Sequence, residues 1–247
     1  GATLAEELDF RREAHHMAEF NATLARAGNA EVVAPRVHDA LTTARVLTME
    51  RFRGVRVDDT AAIVEDGHDK GAEKLLAGIR GWFQTLLLAG FFHGDVHAGN
   101  FMVLDDGRVG FLDFGIVGRF DASERALILD YVIAFQTRDF ERLADVFVKM
   151  GSVSDRGLDR GRFVRDLEAA FTPMIDADDG FRMRDIVPDM LRVAVRHGMR
   201  MPRQFVLVTK QLVYLDRYAK AIGGPKMNVL TDPRVLAFLM QDLAAFG

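Results

Sequence analysis

No cysteine occurs among the 247 residues, which excludes a disulfide framework and a thiolate metal site, so any nucleophile is not sulfur. Positive charge is not in excess either. Lys and Arg total 32 against 36 Asp and Glu, a net charge of −4, the wrong sign for neutralising a phosphate backbone, so nucleic acid is not expected as a partner. No stretch reaches the roughly 18 apolar residues that span a bilayer. The longest apolar segments, 79–92 and 235–246, are short or interrupted and read as core or interfacial helices. The chain starts without a signal-peptide pattern, since Gly1-Ala2-Thr3-Leu4 leads into the acidic Glu6-Glu7-Leu8-Asp9. These absences predict a cytoplasmic protein with no transmembrane segment, and leave peripheral membrane contact open. Lysine is scarce: six are present, at Lys70, Lys74, Lys149, Lys210, Lys220 and Lys226, and none precedes residue 70.

Hydrophobic residues make up 49% of the chain, enough for a substantial core in one large domain or two small ones. Leu4, Leu8, Ala14, Met17, Ala18 and Leu24 recur at helical spacing before Gly28-Asn29, predicting a long amphipathic helix. The runs 32–37 and 44–49 are short, apolar and β-branched, and are expected to form an antiparallel pair, with 50–54 as a connector. A helix over about 70–90, with Leu75, Leu76, Ile79, Phe83, Leu86 and Leu87 on one face, leads to His93. The runs 101–104 and 108–112 flank Asp105-Asp106-Gly107, a strong hairpin signal. Beyond Gly118 the pattern is helical, through 123–138, 140–150, 162–171, 186–197 and 203–221, with 176–180 as an exposed loop.

The segment FHGDVHAGNFMVLDDGRVGFLDFG, residues 92–115, carries the chemistry. Phosphoryl transfer needs a carboxylate near the acceptor hydroxyl and oxygen ligands that hold magnesium against the phosphates. Asp95 and Asn100 lie five residues apart on one loop, and the hairpin returns the chain so that Asp113 reaches the same place. The pattern H-G-D-x-x-x-x-N followed thirteen residues after the Asn by D-F-G has the spacing of the protein-kinase catalytic loop and magnesium motif. A lone D-F-G would be weak evidence, but these positions fix one another. His97 could ligate a metal in principle. Beside oxygen ligands a hard magnesium ion fits better, so His97 is read as a loop-stabilising residue.

These motifs resemble the ABC1, or UbiB/AarF, family of atypical kinases. Glu7-Leu8-Asp9 and the helix after it resemble the family's Glu-x-Asp motif, and Val46-Leu47-Thr48-Met49-Glu50 with Gly54-Val55 resembles its hinge strand. His93 to Asn100 is close to its catalytic loop, and Asp113-Phe114-Gly115 with Ile116-Val117-Gly118 to its metal motif. The resemblance implies an α+β, protein-kinase-like fold with a partial N-lobe over 1–54 and a helical C-lobe over 55–247. It implies Mg-ATP as cofactor, Asp95 as catalytic aspartate, Asn100 and Asp113 as magnesium ligands, and Glu13 as the helix-C glutamate that pairs with a strand lysine. Glu50 and Phe52 fall at the nucleotide hinge, and Glu7 and Asp9 become the family's own acids. A role in isoprenoid quinone or lipid metabolism, with a partner from that pathway, follows from the same resemblance.

Gly94 stands where regulated protein kinases carry arginine, and no Ala-Pro-Glu follows Gly115, so loop-phosphate switching is not expected. Only twelve residues precede Glu13, and the nucleotide loop and strand lysine are not among them. A C-terminal piece of a longer protein is expected, one that binds nucleotide poorly by itself. Two other readings stand beside the first. One is a small-molecule phosphotransferase of the aminoglycoside or choline kinase kind. The other is a pseudokinase or lipid-binding scaffold built on the apolar helices of the C-terminal half.

Overall fold

The computed structural model describes residues 9–63, 68–175, 183–200, 202–224, 227, 229 and 232–246. The expected loop at 176–180 and the acid Glu7 lie outside these. The chain divides into two compact units, Gly1–Arg119 with Lys210–Gly247, and Phe120–Thr209.

The first unit opens with α1, Phe10–Arg26, started by Asp9, whose side chain accepts the Arg11 N–H. Ala14, Met17, Phe20 and Leu24 form its buried stripe, at the three- and four-residue spacing that keeps one helical face inward. It stops at Gly28, φ 68°, where the Asn29 N–H bonds to Leu24 O and the Gly28 N–H to Ala25 O. These two bonds satisfy carbonyls that the helix end leaves orphaned, and the left-handed residue between them is least costly as glycine.

β1, Val32–Val33, follows; β2 is Gly54–Arg56, α2 Thr60–Ile63 and α3 His68–Ala89. Then come β3, Phe91–His93, β4, Phe101–Leu104, β5, Val109–Phe111, and β6, Val117–Arg119. The order β1-β5-β4-β2 makes one sheet, and β3 pairs with β6 in a second. β4 and β5 form the expected hairpin, Phe101 opposite Phe111. Its turn is closed by Gly107 N–H to Leu104 O and by Leu104 N–H to Arg108 O, with Gly107 at φ 84°, the three-residue loop that ends in a left-handed glycine.

The antiparallel pairing expected between 32–37 and 44–49 is present at one end, where the His38 N–H also bonds to Thr48 O, and is corrected at the other. Val32 and Val33 run parallel to Val109 and Gly110, and 44–49 contributes only an isolated antiparallel bridge, Met49 to Val37. Val32 is buried against Gly81, where a Cβ would come within 2.9 Å of its side chain. Val46 and Met49 are exposed. A β-branched run becomes a strand where a layer covers it, and only the first run has one. The 50–54 segment, expected as a connector, ends in β2, which pairs antiparallel with β4, Gly54 opposite Leu104.

The core under the sheets is aromatic: Phe20, Trp82, Phe91, Phe92, Phe101, Phe111 and Phe114 are fully buried. α8, Arg203–Gly223, passes from the second unit into the first, and α9, Pro233–Phe246, belongs to the first. Asp242 of α9 forms a two-pronged ion pair with Arg80 of α3. In the second unit α4, Ala122–Gln136, begins with a reciprocal cap between Asp121 and Glu124. It is followed by α5, Phe140–Lys149, α6, Arg160–Ile175, and α7, Met183–His197. No helix among the described residues is long and apolar enough to cross a membrane.

Candidate active site

His93, at the end of β3, is fully buried and organises the loop that carries Asp95. Its Nδ1 accepts the Asp95 N–H at 3.1 Å. That fixes the proton on Nε2, which donates to Leu112 O at 2.8 Å. One imidazole thus links the residue before Asp113 to Asp95. Burial pushes its pKa below the ordinary 6.5, because a cation in this aromatic surround loses its hydration. The Trp82 indole N–H donates to His93 O at 3.0 Å, tying the strand to α3.

The loop is closed from within. Asn100 is buried, and its side-chain nitrogen donates to Asp95 O at 3.2 Å. The Asn100 N–H bonds to His97 O, and the Leu112 N–H to Asn100 O. His97 Nδ1 accepts the Gly99 N–H at 3.0 Å, within the loop. Asp95 and Asn100 are therefore held together by direct contact, and the β4–β5 hairpin returns the chain so that Asp113 follows a residue bonded to both His93 and Asn100. β3 and β6 bring the two motifs side by side, with His93 opposite Val117 and the Gly94 N–H on Ile116 O at 2.9 Å.

Asp113 has φ 56°, a left-handed conformation that Asp tolerates better than most residues, and its Oδ1 accepts the Gly115 N–H at 3.2 Å. α1 then grips the next residue twice. Glu13 Oε1 accepts the Phe114 N–H at 3.1 Å, and His16 Nδ1 lies 3.0 Å from Phe114 O, so His16 is the donor there. Three residues apart, Glu13 and His16 share one helical face. Burial first, and the Asp113 charge second, raise the Glu13 pKa above 4.5. Phe114 itself packs on Phe20 and edge-on to His93, with centroids 5.0 and 4.7 Å apart. Glu19 meets Arg119 of β6 one turn further along α1.

Glu50 and Phe52 stand apart from these contacts. Glu50 Oε2 accepts the Arg36 N–H and its own N–H donates to Arg36 O. The Phe52 ring covers Gly110, where a Cβ would lie 2.7 Å from it. Asp9 is the cap of α1 and a two-pronged partner of Arg11.

Two residues of the site had no signal in the sequence pattern. Gln211, buried on α8, accepts the Val96 N–H at 2.7 Å and donates to Gly94 O at 2.6 Å. Its neighbour Lys210 places Nζ 3.0 Å from Asp95 Oδ1. Both lie more than 100 residues from the loop they touch, with no motif around them. The scarcity of lysine was the one available pointer.

The arrangement is a hydrogen-bonded loop carrying Asp95 and Asn100, tied through His93 and Asn100 to the residue before Asp113. Residues 1–147 match the ABC1 atypical kinase-like domain. The chain belongs to the ABC1 family. It is 34% identical to an uncharacterized chloroplastic aarF domain-containing protein kinase of Arabidopsis thaliana, over 94% of this chain and 47% of that protein. An uncharacterized Mycobacterium tuberculosis protein is 37% identical over 95% of this chain and 48% of its own length. Among solved structures, Mycobacterium tuberculosis Rv3197 in complex with erythromycin superposes with a TM-score of 0.59 at 20% identity, covering 93% of this chain and 58% of that one. The shared fold is kinase-like. The ABC1 chain described here spans about half the length of these curated relatives.

Proposed function

We propose that this chain is the catalytic-loop portion of an ABC1-type kinase or ATPase that uses ATP and Mg2+. The observation that carries the reading is the shared hydrogen-bond frame of Asp95, Asn100 and Leu112 around His93. Such a frame supports the reading because it ties the loop of Asp95 and Asn100 to the residue before Asp113.

The donor set fits magnesium. With the Asn100 nitrogen committed to Asp95 O, its Oδ1 is the atom that would hold the ion, and Asp113 would add a carboxylate. No group of three or more His, Cys, Asp or Glu able to hold a metal occurs among the described residues. Magnesium suits such a site because it takes few protein oxygens and keeps water and phosphate oxygens for the rest. When bound, it neutralises charge on the transferring phosphoryl group. The chain's own part is positional. Asp95 takes the proton of the attacking hydroxyl or water as its oxygen bonds to the terminal phosphorus, the bond to the bridging oxygen breaks, and ADP leaves. Glu50 and Phe52 are proposed for the nucleotide hinge. The lobe division at 54/55, and a lipid or quinone-pathway acceptor, rest on the family resemblance.

The test is phosphate release and phosphoryl transfer by the full-length protein with Mg-ATP. Asp95→Asn is expected to lower turnover about 10²–10⁴-fold, the usual contribution of a positioned acid–base group. Turnover equal to the parent's would sink the reading.

A further inference from the structure

Lys210 and Gln211 approach Asp95 together. Gln211 is fully buried and bonds the peptide groups on either side of it, Gly94 O and Val96 N–H. That docks this turn of α8 on the catalytic loop and gives the next residue a defined reach. Lys210 uses it to place Nζ 3.0 Å from Asp95 Oδ1 and 5.8 Å from the Tyr214 ring, one turn along α8. The other carboxylate oxygen, Oδ2, faces His97 Nε2 at 3.7 Å, beyond direct hydrogen-bond distance. The two oxygens of Asp95 are thus chemically distinct.

As a stabilising contact the pair would count for little, since the lysine side chain is 45% exposed and exposed ion pairs contribute little. Its effect is on orientation. A carboxylate held only by its backbone rotates about its terminal bond and offers either oxygen, whereas a cation on Oδ1 selects the rotamer.

We propose that Lys210 is a positioning residue for Asp95, its ammonium holding Oδ1 so that Oδ2 is the oxygen that receives the proton of the attacking hydroxyl or water. Asp95 accepts that proton on Oδ2 and returns it to solvent after the phosphoryl group has moved. This rests on the phosphotransfer reading above. The cation beside the catalytic carboxylate comes from a helix more than 100 residues away, not from the loop itself.

The experiment is a set of variants of the full-length protein, assayed for steady-state turnover with Mg-ATP: Lys210→Met, Lys210→Gln, Lys210→Arg, Asp95→Asn and the double variant Lys210→Met/Asp95→Asn. Lys210→Met and Lys210→Gln are expected to lower kcat about 10- to 100-fold, the scale of misplacing a reacting group by an ångström, with KM for Mg-ATP nearly unchanged. Lys210→Arg recovers most of the loss. In the Asp95→Asn background Lys210→Met costs nothing more, because the residue acts only through Asp95. The proposal is overturned if Lys210→Met turns over like the parent, if arginine rescues no better than methionine, or if the losses multiply in the double variant. Full turnover by Asp95→Asn alone is a separate outcome that removes the phosphotransfer reading and the role of Lys210 with it.

Discussion

His93 accepts the backbone N–H of Asp95 on one ring nitrogen and donates to Leu112 O from the other, so a single neutral imidazole ties the Asp95 loop to the residue before Asp113. Its pKa is depressed by burial. The folded chain therefore binds fewer protons than the unfolded chain as pH falls below 6.5, and stability present above 6.5 is lost through the window down to the folded value. His93→Gln is expected to cost about 1–3 kcal/mol at pH 7 for each partner left unsatisfied and to flatten the decline between pH 7 and 5. Urea midpoints across that range measure both. A decline as steep as the parent's would assign the acid sensitivity elsewhere.

Glu13 titrates with the opposite sign. Its carboxyl is raised above 4.5 by burial and then by the Asp113 charge, so from 4.5 up to the raised value the folded chain keeps a proton that the unfolded chain has lost. Stability falls as pH rises through that window. Glu13→Gln keeps an oxygen for the Phe114 N–H and removes the charge. It should gain stability relative to the parent at neutral pH and show no such fall between pH 4 and 7 in denaturant titrations.

Asp113→Asn tests the proposed metal role apart from folding. Asparagine tolerates the left-handed backbone found there, φ 56°, so the melting temperature should move little while Mg-dependent turnover of the full-length protein drops to background. Persistent Mg-dependent hydrolysis would contradict the metal assignment.

Gln211→Leu strands Val96 N–H and Gly94 O, both now bonded to a fully buried side chain. A loss of about 1–3 kcal/mol for each stranded group is expected in urea unfolding. Hydrogen exchange at Val96 should speed up in step, and unchanged protection there would show that the loop holds its shape without α8.

Gly118→Ala tests the β3–β6 pair that joins the two motifs. A Cβ at Gly118 would lie 2.0 Å from the buried Phe92 ring. Overpacking of this kind costs about 1–3 kcal/mol, seen as a lowered melting temperature.

The hairpin that separates Asn100 from Asp113 was legible because its signal is local. Asp106-Gly107 encodes a turn, and that turn sets the return of the chain from Asn100 to Asp113. α1 was legible for the same reason, since a periodic face and a glycine stop lie within one segment. The strand at 54–56 was legible only through the family resemblance, because Gly54-Val55-Arg56 has no alternation of its own. It is a strand only because β4 offers an open edge. Lys210 and Gln211 were illegible for a stronger reason: the helix that carries them looks like any amphipathic helix, and their partners lie across the chain. The antiparallel reading of 32–37 with 44–49 held only at the Val37–Met49 end, because composition reports a taste for sheet and does not say that Val32 and Val33 lie alongside β5.

The grip of α1 on Phe114 is made to main-chain atoms, a glutamate on the N–H and a histidine on the C=O. Nearly every codon change at position 114 leaves both atoms in place, so a scan of side chains there reads out hydrophobic fit against Phe20 and is blind to the helix-to-motif linkage. Proline alone deletes the N–H. The alignment of α1 with the Asp113–Gly115 segment is thus insulated from drift at the very residue it holds, and its mutational vulnerability lies in α1, at Glu13 and His16.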